Sequence, residues 1–250
     1  MSRFIQASVL AAAVVAGGSF AMGDTVQVVV PTGLSNAAGS PVGFDGDKPA
    51  PGGAAGAPTG FGDSSLGVNV AAGDYRTLRV YVQDLFAGQP GVNSPLTLSD
   101  LQSISFDTFG DDAYAIIYTG PNPSGSPFYT GRVLAQASVL TNPGWQTNSS
   151  ADGTLVFQDT TSGIPGPALT FSQVQSLNTS PIMWIDFKIG ATAFPATNGQ
   201  LDAVSLTFDG VNRTLDLVAV PLPPAVTAGM ALLGLLGVGT FLRNRRRVIA

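Results

Sequence analysis

The sequence predicts an all-β fold, a β-sandwich of jelly-roll-like form with one or two short helical turns. Three observations lead to this prediction. Short runs of alternating apolar and polar residues recur along the chain, Gly, Pro, Asn, Asp and Ser separate them, and no helix-length periodic run lies within residues 76–219. The hydrophobic fraction of 44% is large enough to form a core.

The early part of the chain is predicted to contain two strands and, between them, a long irregular loop rich in Gly, Ala and Pro: 25–30, 67–70 and 31–64. Eight clearer strands follow from Arg76. In the first of them, Leu78, Val80 and Val82 alternate with Arg79 and Tyr81, so one face is apolar. The other seven are 103–107, 113–119, 132–140, 154–158, 182–189, 201–208 and 214–218.

Helical turns are expected at only two places in the body of the chain, 98–101 and 171–177. In the second, Phe171, Val174 and Leu177 share one face at helical spacing, and Thr170 precedes them as a candidate N-cap. Both turns are predicted to be surface crossovers between strands.

Three residue types are missing, because the chain has no His, no Cys and no Glu, and all 16 acidic residues are Asp. Without imidazole, Ser-His-Asp and Cys-His hydrolases and His-ligated zinc centres are excluded. Paired Asp residues could still replace the paired Glu of β-sandwich glycosidases. Asp111 and Asp112 are such a pair, but they converge only in a loop, since neighbours on a strand point to opposite faces.

The charge of the body differs from that of the ends. Five of the 11 basic residues lie at the two ends, which leaves six in the body against 16 Asp, a net charge of −10. Such a surface repels nucleic acid and anionic lipid, so neither is an expected partner of the body. It suits an extracellular protein.

The N-terminal residues 1–21 have the three parts of a secretory signal. Arg3 supplies the positive start, an apolar run extends from about Phe4 to Val15, and small residues precede a cleavage site after Ala21. We therefore predict export through an N-terminal signal helix. The alternative is a short N-terminal anchor.

The C-terminal residues 220–250 combine a proline-rich junction, an apolar stretch and a basic end. Residues 225–242 are apolar, and as a helix these 18 residues would reach about 27 Å, enough to span a hydrocarbon core. Arginines after such a helix stay cytoplasmic, which places the body outside, in agreement with the signal. The basic cluster is Arg243, Arg245, Arg246 and Arg247, and the junction is Val220, Pro221, Leu222, Pro223 and Pro224.

This arrangement resembles the PEP-CTERM sorting signal in its Val-Pro-Leu-Pro-Ala variant, with Leu222 in place of the Glu of the Val-Pro-Glu-Pro form and Pro224 as one additional proline. The resemblance implies that an exosortase-type membrane enzyme removes the tail and passes the body to the cell envelope or the extracellular matrix. The alternative is an uncleaved membrane anchor. Small residues such as Gly229 and Gly234 fit either alternative.

The body is similar to extracellular β-sandwich domains attached to such tails, which are related to lectin-like jelly rolls. The resemblance covers about Leu66 to Ala219 and is carried by Leu96 to Leu101 ahead of Ile104, and by the Gly210 turn between two strands. The predicted organisation is therefore a signal peptide, an early strand with its loop, a β-sandwich domain and a sorting tail: 1–21, 22–65, 66–219 and 220–250.

The strand 182–189 carries the candidate binding site. Met183, Ile185, Phe187 and Ile189 are predicted to share one face, and Trp184, Asp186 and Lys188 the other. A Trp flanked by an acceptor and a donor suits sugar binding, because the ring stacks on a pyranose and its neighbours bond the hydroxyls. Arg79 and Tyr81 join this platform if their strand pairs with it. The alternative is a covered Trp184 beside a solvated Asp186–Lys188 pair; Trp145 is predicted to lie in a loop.

No cofactor is expected, with the exception of a structural calcium ion. Asp45 and Asp47 flank Gly46, and Asp111 adjoins Asp112, so carboxylates on turns could combine with backbone carbonyls. Neither group has the spacing of an EF-hand loop, and turn chemistry alone explains Asp beside Gly.

Three functional hypotheses follow from the sequence. The first is a noncatalytic surface or matrix β-sandwich that binds polysaccharide through the Trp184 face. The second is a structural or adhesive matrix component without a small-ligand site, and the third is a secreted hydrolase that uses paired Asp residues.

Overall fold

The computed structural model describes residues 24–30, 42–44, 53–55, 58–61, 64–67, 75–111, 113–121, 129–138, 141–190 and 198–219. These residues belong to one compact unit, which ends at Ala219. They form two β-sheets that enclose a common core, with two short helices, so the predicted all-β sandwich is confirmed.

At the centre of the first sheet, β6 pairs with β13. β13 pairs with β14 and β4 as well as with β6, while β9 continues the sheet beyond β6 and β3 beyond β4. β1 pairs in parallel with β14. Its strands are β1 (Asp24–Val30), β3 (Gly53–Ala55), β4 (Ser64–Gly67), β6 (Leu101–Asp111), β9 (Thr141–Ser149), β13 (Gly199–Phe208) and β14 (Val211–Ala219).

The second sheet is antiparallel throughout, in the order β11-β10-β8-β7-β12-β5-β2. β12 lies near its centre, between β7 and β5. Its strands are β2 (Val42–Phe44), β5 (Arg76–Val80), β7 (Ala113–Thr119), β8 (Gly131–Ala137), β10 (Leu155–Asp159), β11 (Ala168–Leu169) and β12 (Ile182–Ile189).

The core lies between the two sheets and is built from the alternate positions of their central strands. Phe106 of the first sheet meets Phe187 of the second edge to face, with ring centroids 5.7 Å apart. Both side chains are fully buried. Such aromatic contacts across a sandwich bury large apolar areas, which is the main favourable contribution to folding.

Two short helices connect strands, α1 (Val82–Leu85) and α2 (Phe171–Gln175). α2 confirms the predicted turn, and Thr170 is its N-cap in a capping box with Gln173. α1 corrects a prediction: Val82 begins a helix instead of continuing the β5 alternation.

The structure corrects two further expectations about strands. The segment 31–64, predicted as an irregular loop, contains β2 and β3, and these strands join different sheets. Trp145, predicted to lie in a loop, is part of β9 and packs against Phe109 at 5.9 Å. The three strands β2, β3 and β9 escape the sequence pattern because Gly, Ala, Asn and Pro fill many of their positions.

The predicted signal, residues 1–21, and the predicted sorting tail, residues 220–250, lie outside the described residues. Within the described part of the chain, neither helix has the length and apolar character needed to cross a membrane. The last strand, β14, ends at Ala219, immediately before the proline-rich junction.

Candidate functional site

The strand β12 has one face towards the core and one face on the outside of the second sheet. Ile182, Ile185, Phe187 and Ile189 belong to the core between the sheets. Trp184, Asp186 and Lys188 alternate with them and lie on the outer face of the second sheet, as the period of two predicts. The outer face is therefore built on β12 and on its neighbours β5 and β7.

One member of the predicted core face is displaced. The register between β12 and β7 shifts between Ile182 and Trp184, which indicates a β-bulge at Met183. Ile182 takes the core position that the alternation assigned to Met183, which is buried but lies outside the main core cluster. The expectation that Met183 and Ile185 share one face was wrong for this reason.

Asp186 is bound by Arg79 from the neighbouring strand. The two residues are in register on β12 and β5, and the guanidinium donates two hydrogen bonds, Nε to Oδ1 at 2.7 Å and Nη2 to Oδ2 at 2.9 Å. The Lys188 ammonium lies 3.7 Å from Oδ2. Since the Asp186 side chain is only 1% exposed, two cations compensate a carboxylate that has almost no contact with solvent.

Trp184 lies between Arg79 and Tyr118. The Arg79 guanidinium carbon is 4.7 Å from the centre of the indole, and the Tyr118 ring centroid is 5.1 Å away at an interplanar angle of 33°. Tyr118 lies opposite Trp184 in the register of β7 and β12. The indole Nε1 is buried and has no hydrogen-bond partner.

The aromatic row continues onto β8 and the segment before it. Arg132 lies opposite Tyr118, and its guanidinium carbon is 5.9 Å from the Tyr118 ring. Tyr129 meets the same ring edge to face at 5.0 Å and is 39% exposed. On the other side of the face, the Lys188 ammonium is 4.4 Å from the Tyr75 ring. We refer to the following side chains together as the Trp184 cluster: Arg79, Tyr118, Tyr129, Arg132, Trp184, Asp186 and Lys188.

The phenol groups of this face stay protonated near neutral pH. Burial, followed by the negative charge of Asp186, raises the pKa of Tyr118 to about 12. Burial likewise raises the pKa of Tyr114, which stands beside Lys188 in the sheet register and donates a hydrogen bond to the Gly190 carbonyl at 3.0 Å. Both tyrosines are therefore neutral hydrogen-bond donors.

The structure brings together four of the five residues predicted for the platform, Arg79, Trp184, Asp186 and Lys188. Tyr81 is the exception, because β5 ends at Val80 and Tyr81 is the N-cap residue of α1. The role expected of Asp186 also changes, since its two oxygens already accept hydrogen bonds from Arg79. It orients Arg79 and has little capacity left for sugar hydroxyls.

Sequence reasoning missed Tyr118, Tyr129 and Arg132. The alternation in β7 does place Tyr114 and Tyr118 on one side, and that in β8 places Arg132 on the side of Leu134 and Gln136. What periodicity does not reveal is that β12 lies beside β7, because these two strands are more than 60 residues apart in the chain.

Replacing Asp186 by Asn is expected to lower the free energy of unfolding by about 2–4 kcal/mol, because Arg79 and Lys188 lose the charge that compensates them in a poorly solvated place. The measurement is urea unfolding of the full chain followed by Trp fluorescence. Asp84→Asn on α1 is the matched control, since Asp84 is exposed, and it should change the value by less than about 0.5 kcal/mol. Equal stabilities of the two variants would contradict the assigned role.

A separate acidic group lies on the first sheet. Asp202 stands opposite Asp107 in the register of β13 and β6, at a bulge where Ala203 has a φ of 49°. Asp202 Oδ1 accepts the backbone N–H groups of Ala203 at 2.8 Å and Leu217 at 3.0 Å, while Oδ2 is buried without a partner. The carboxyl thus satisfies donors that the irregular ladder leaves free.

The pKa of Asp202 is raised to about 7, mainly by burial and also by the nearby Asp216 and Asp107. The two backbone hydrogen bonds act in the opposite direction. Burial also raises the pKa of Asp107 and of Asp216. Although a raised pKa is a property of catalytic acids, Asp202 has no exposed surface for a substrate to reach. The arrangement therefore supports a structural role.

The raised pKa makes stability depend on pH. The folded chain holds the Asp202 proton up to about pH 7, whereas the unfolded chain loses it near the ordinary value of 3.8. The contribution of the protonated Asp202 carboxyl to the free energy of unfolding is complete below pH 3.8. It is lost as the pH rises towards 7, and the loss is at most about 4 kcal/mol. In Asp202→Asn this loss should be absent. The free energy of unfolding of the variant should therefore rise relative to that of the wild type between pH 4.5 and pH 8. Parallel pH profiles of urea unfolding would contradict it.

The calcium candidates do not form a described site. Asp45, Asp47 and Asp112 lie outside the described residues, and Asp111 ends β6 with a side chain that is also outside them. Among the side chains that the structure describes, no three acidic groups are arranged to hold a metal ion. Calcium binding and catalysis by Asp111 and Asp112 remain predictions from the sequence.

Comparisons with protein-family models, with curated proteins and with solved structures found no match for this chain.

Proposed function

We propose that this chain is an exported, noncatalytic β-sandwich of the cell surface or extracellular matrix that binds polysaccharide through the Trp184 cluster. The observation that carries the proposal is the concentration of aromatic and cationic side chains on one outer sheet face. Tyr75, Tyr114, Tyr118 and Tyr129, four of the chain's five tyrosines, lie on or beside this face together with Trp184.

The chemistry of this face suits a sugar polymer. Aromatic rings offer apolar surface to the C–H side of pyranose rings, and the neutral Tyr118 hydroxyl and the basic groups offer donors to sugar oxygens. Arg79 and Asp186 hold Trp184 in place through cation–π and bidentate contacts, so little side-chain freedom is lost on binding. A face made of several adjacent strands suits an extended ligand.

Export and sorting complete the proposal. A signal peptide over residues 1–21 directs secretion, and the junction from Val220 to Pro224, the apolar helix 225–242 and the basic cluster serve an exosortase-type enzyme. The helix anchors the chain in the membrane before processing. In this proposal the domain is of the lectin-like, jelly-roll-like type that accompanies such tails.

A structural or adhesive matrix role is the second candidate, and the edges of the second sheet bear on it. Its edge strands are β11 with two residues and β2 with three. Short edge strands give another chain little backbone to pair with. This favours a soluble ligand on the sheet face over assembly through the edges of this sheet.

Processing is tested by mass spectrometry of the chain recovered from the surface of the producing cell. We expect a mature form that begins at Met22 and lacks the helix 225–242, because signal cleavage follows Ala21 and sorting removes the tail. A mature chain that retains Arg243 to Arg247 would identify the uncleaved anchor and contradict the sorting proposal.

Polysaccharide binding is tested by retention of the full chain, purified in detergent, on a panel of immobilised polysaccharides. Tyr129→Ala should weaken binding about tenfold because it removes an exposed ring, and Trp184→Ala should do so because it removes the ring between Arg79 and Tyr118. Trp145→Ala is the matched control, since Trp145 lies in the first sheet. Equal retention of all three variants would contradict the assignment of the site. If Trp184→Ala is unfolded, Tyr129→Ala decides, and retention equal to that of the wild-type chain would contradict the assignment.

A further inference from the structure

We infer that the ligand of the Trp184 cluster is an acidic polysaccharide and that Arg132 is the residue that binds its carboxylate groups. This inference rests on the proposed function, and it adds the chemical class of the ligand and a role for a residue that the sequence did not single out.

The first observation is a reversal of charge. The cluster contains three cations, Arg79, Arg132 and Lys188, and one anion, Asp186, a net charge of +2. The body as a whole carries −10, from six basic residues and 16 Asp. Half of the body's basic residues therefore lie on one face of a strongly acidic protein. Such a local positive region attracts anions.

The second observation distinguishes Arg132 from the other two cations. Arg79 and Lys188 are both engaged with Asp186. Arg132 forms no ion pair and donates no side-chain hydrogen bond in the described part of the chain, and its buried Nε has no acceptor. A partly exposed guanidinium is a planar fork of donors that matches a carboxylate, so it is the group on this face that is ready to bind one.

The third observation is an excess of donors in this region. Trp184 Nε1 and Arg132 Nε are both donors without acceptors, and they belong to the two side chains that flank Tyr118. Both atoms are buried, so an acidic ligand binds the other N–H groups of the Arg132 guanidinium.

The spacing of the strands indicates a polymer. From Arg132 on β8 through Tyr118 and Trp184 to Arg79, the row crosses four adjacent strands, a width of about 14 Å. More than one sugar ring fits along it. The exposed Tyr129 and the row of rings stack on the sugars while Arg132 at the end of the row receives a uronate carboxylate.

The test compares polygalacturonate with its fully methyl-esterified form, which keeps the backbone and removes the charge. Titration calorimetry of the full chain in detergent should give at least about tenfold tighter binding of the acidic polymer, and added salt should reduce this preference. Arg132→Gln should abolish the preference, so that the variant binds the two polymers with similar affinities. Arg76→Gln is the matched control, since Arg76 lies three positions before Arg79 on β5 and hence on the opposite face, and it should retain the preference.

Equal affinities of the wild-type chain for the two polymers would overturn the acidic ligand and leave the proposed function standing. A preference that persists in Arg132→Gln would overturn the role of Arg132. Failure of the wild-type chain to bind these polymers or any polysaccharide of the panel would overturn the proposed function, and this inference with it. If Arg132→Gln is unfolded by circular dichroism, the salt dependence of the wild-type preference decides, because stacking alone is insensitive to salt.

Discussion

The ion pair between Asp186 and Arg79 is the constraint on which the outer face of the second sheet depends. β12 is buried towards the core, and its outward carboxylate has almost no contact with water. A charge in such a place persists only with a partner of good geometry, and Arg79 provides one with two short hydrogen bonds. The same contact fixes the guanidinium over Trp184, which in turn positions Tyr118. A structural requirement of the strand thus orders an aromatic surface.

The two outer faces of the sandwich differ in charge and in pH response. The first sheet carries Asp107, Asp202 and Asp216, whose carboxyl groups all have raised pKa values because they are buried. The second sheet carries the cations of the Trp184 cluster. These carboxyl groups take up protons closer to neutral pH than ordinary carboxylates do, so within the described residues the first sheet is the part that responds to mild acidification.

The alternation of apolar and polar residues predicted which side chains share a face of a strand. It did not predict which strands lie side by side. The strands 113–119 and 182–189 were predicted with their observed bounds, and the outward positions of Trp184, Asp186 and Lys188 follow from a period of two. The prediction that Tyr81 joins the platform was wrong because a helix begins at the next residue. The predicted face of Met183 was wrong because of a β-bulge. Arg132 was missed because only the sheet order brings β7 and β8 next to β12. The row of aromatic rings also depends on this order, since it crosses strands distant in the chain.

The central claim is that polysaccharide binds the outer face of the second sheet, and the chain contains its own pair of reporters. Its two tryptophans lie on different sheets, Trp184 on β12 and Trp145 on β9. Titration with polygalacturonate, followed through the two indole N–H signals in NMR spectra of the full chain, tests the claim most directly. The account predicts that the Trp184 signal shifts in a saturable way while the Trp145 signal stays in place. A shift confined to Trp145, or no shift of Trp184 at saturating polymer, would contradict it.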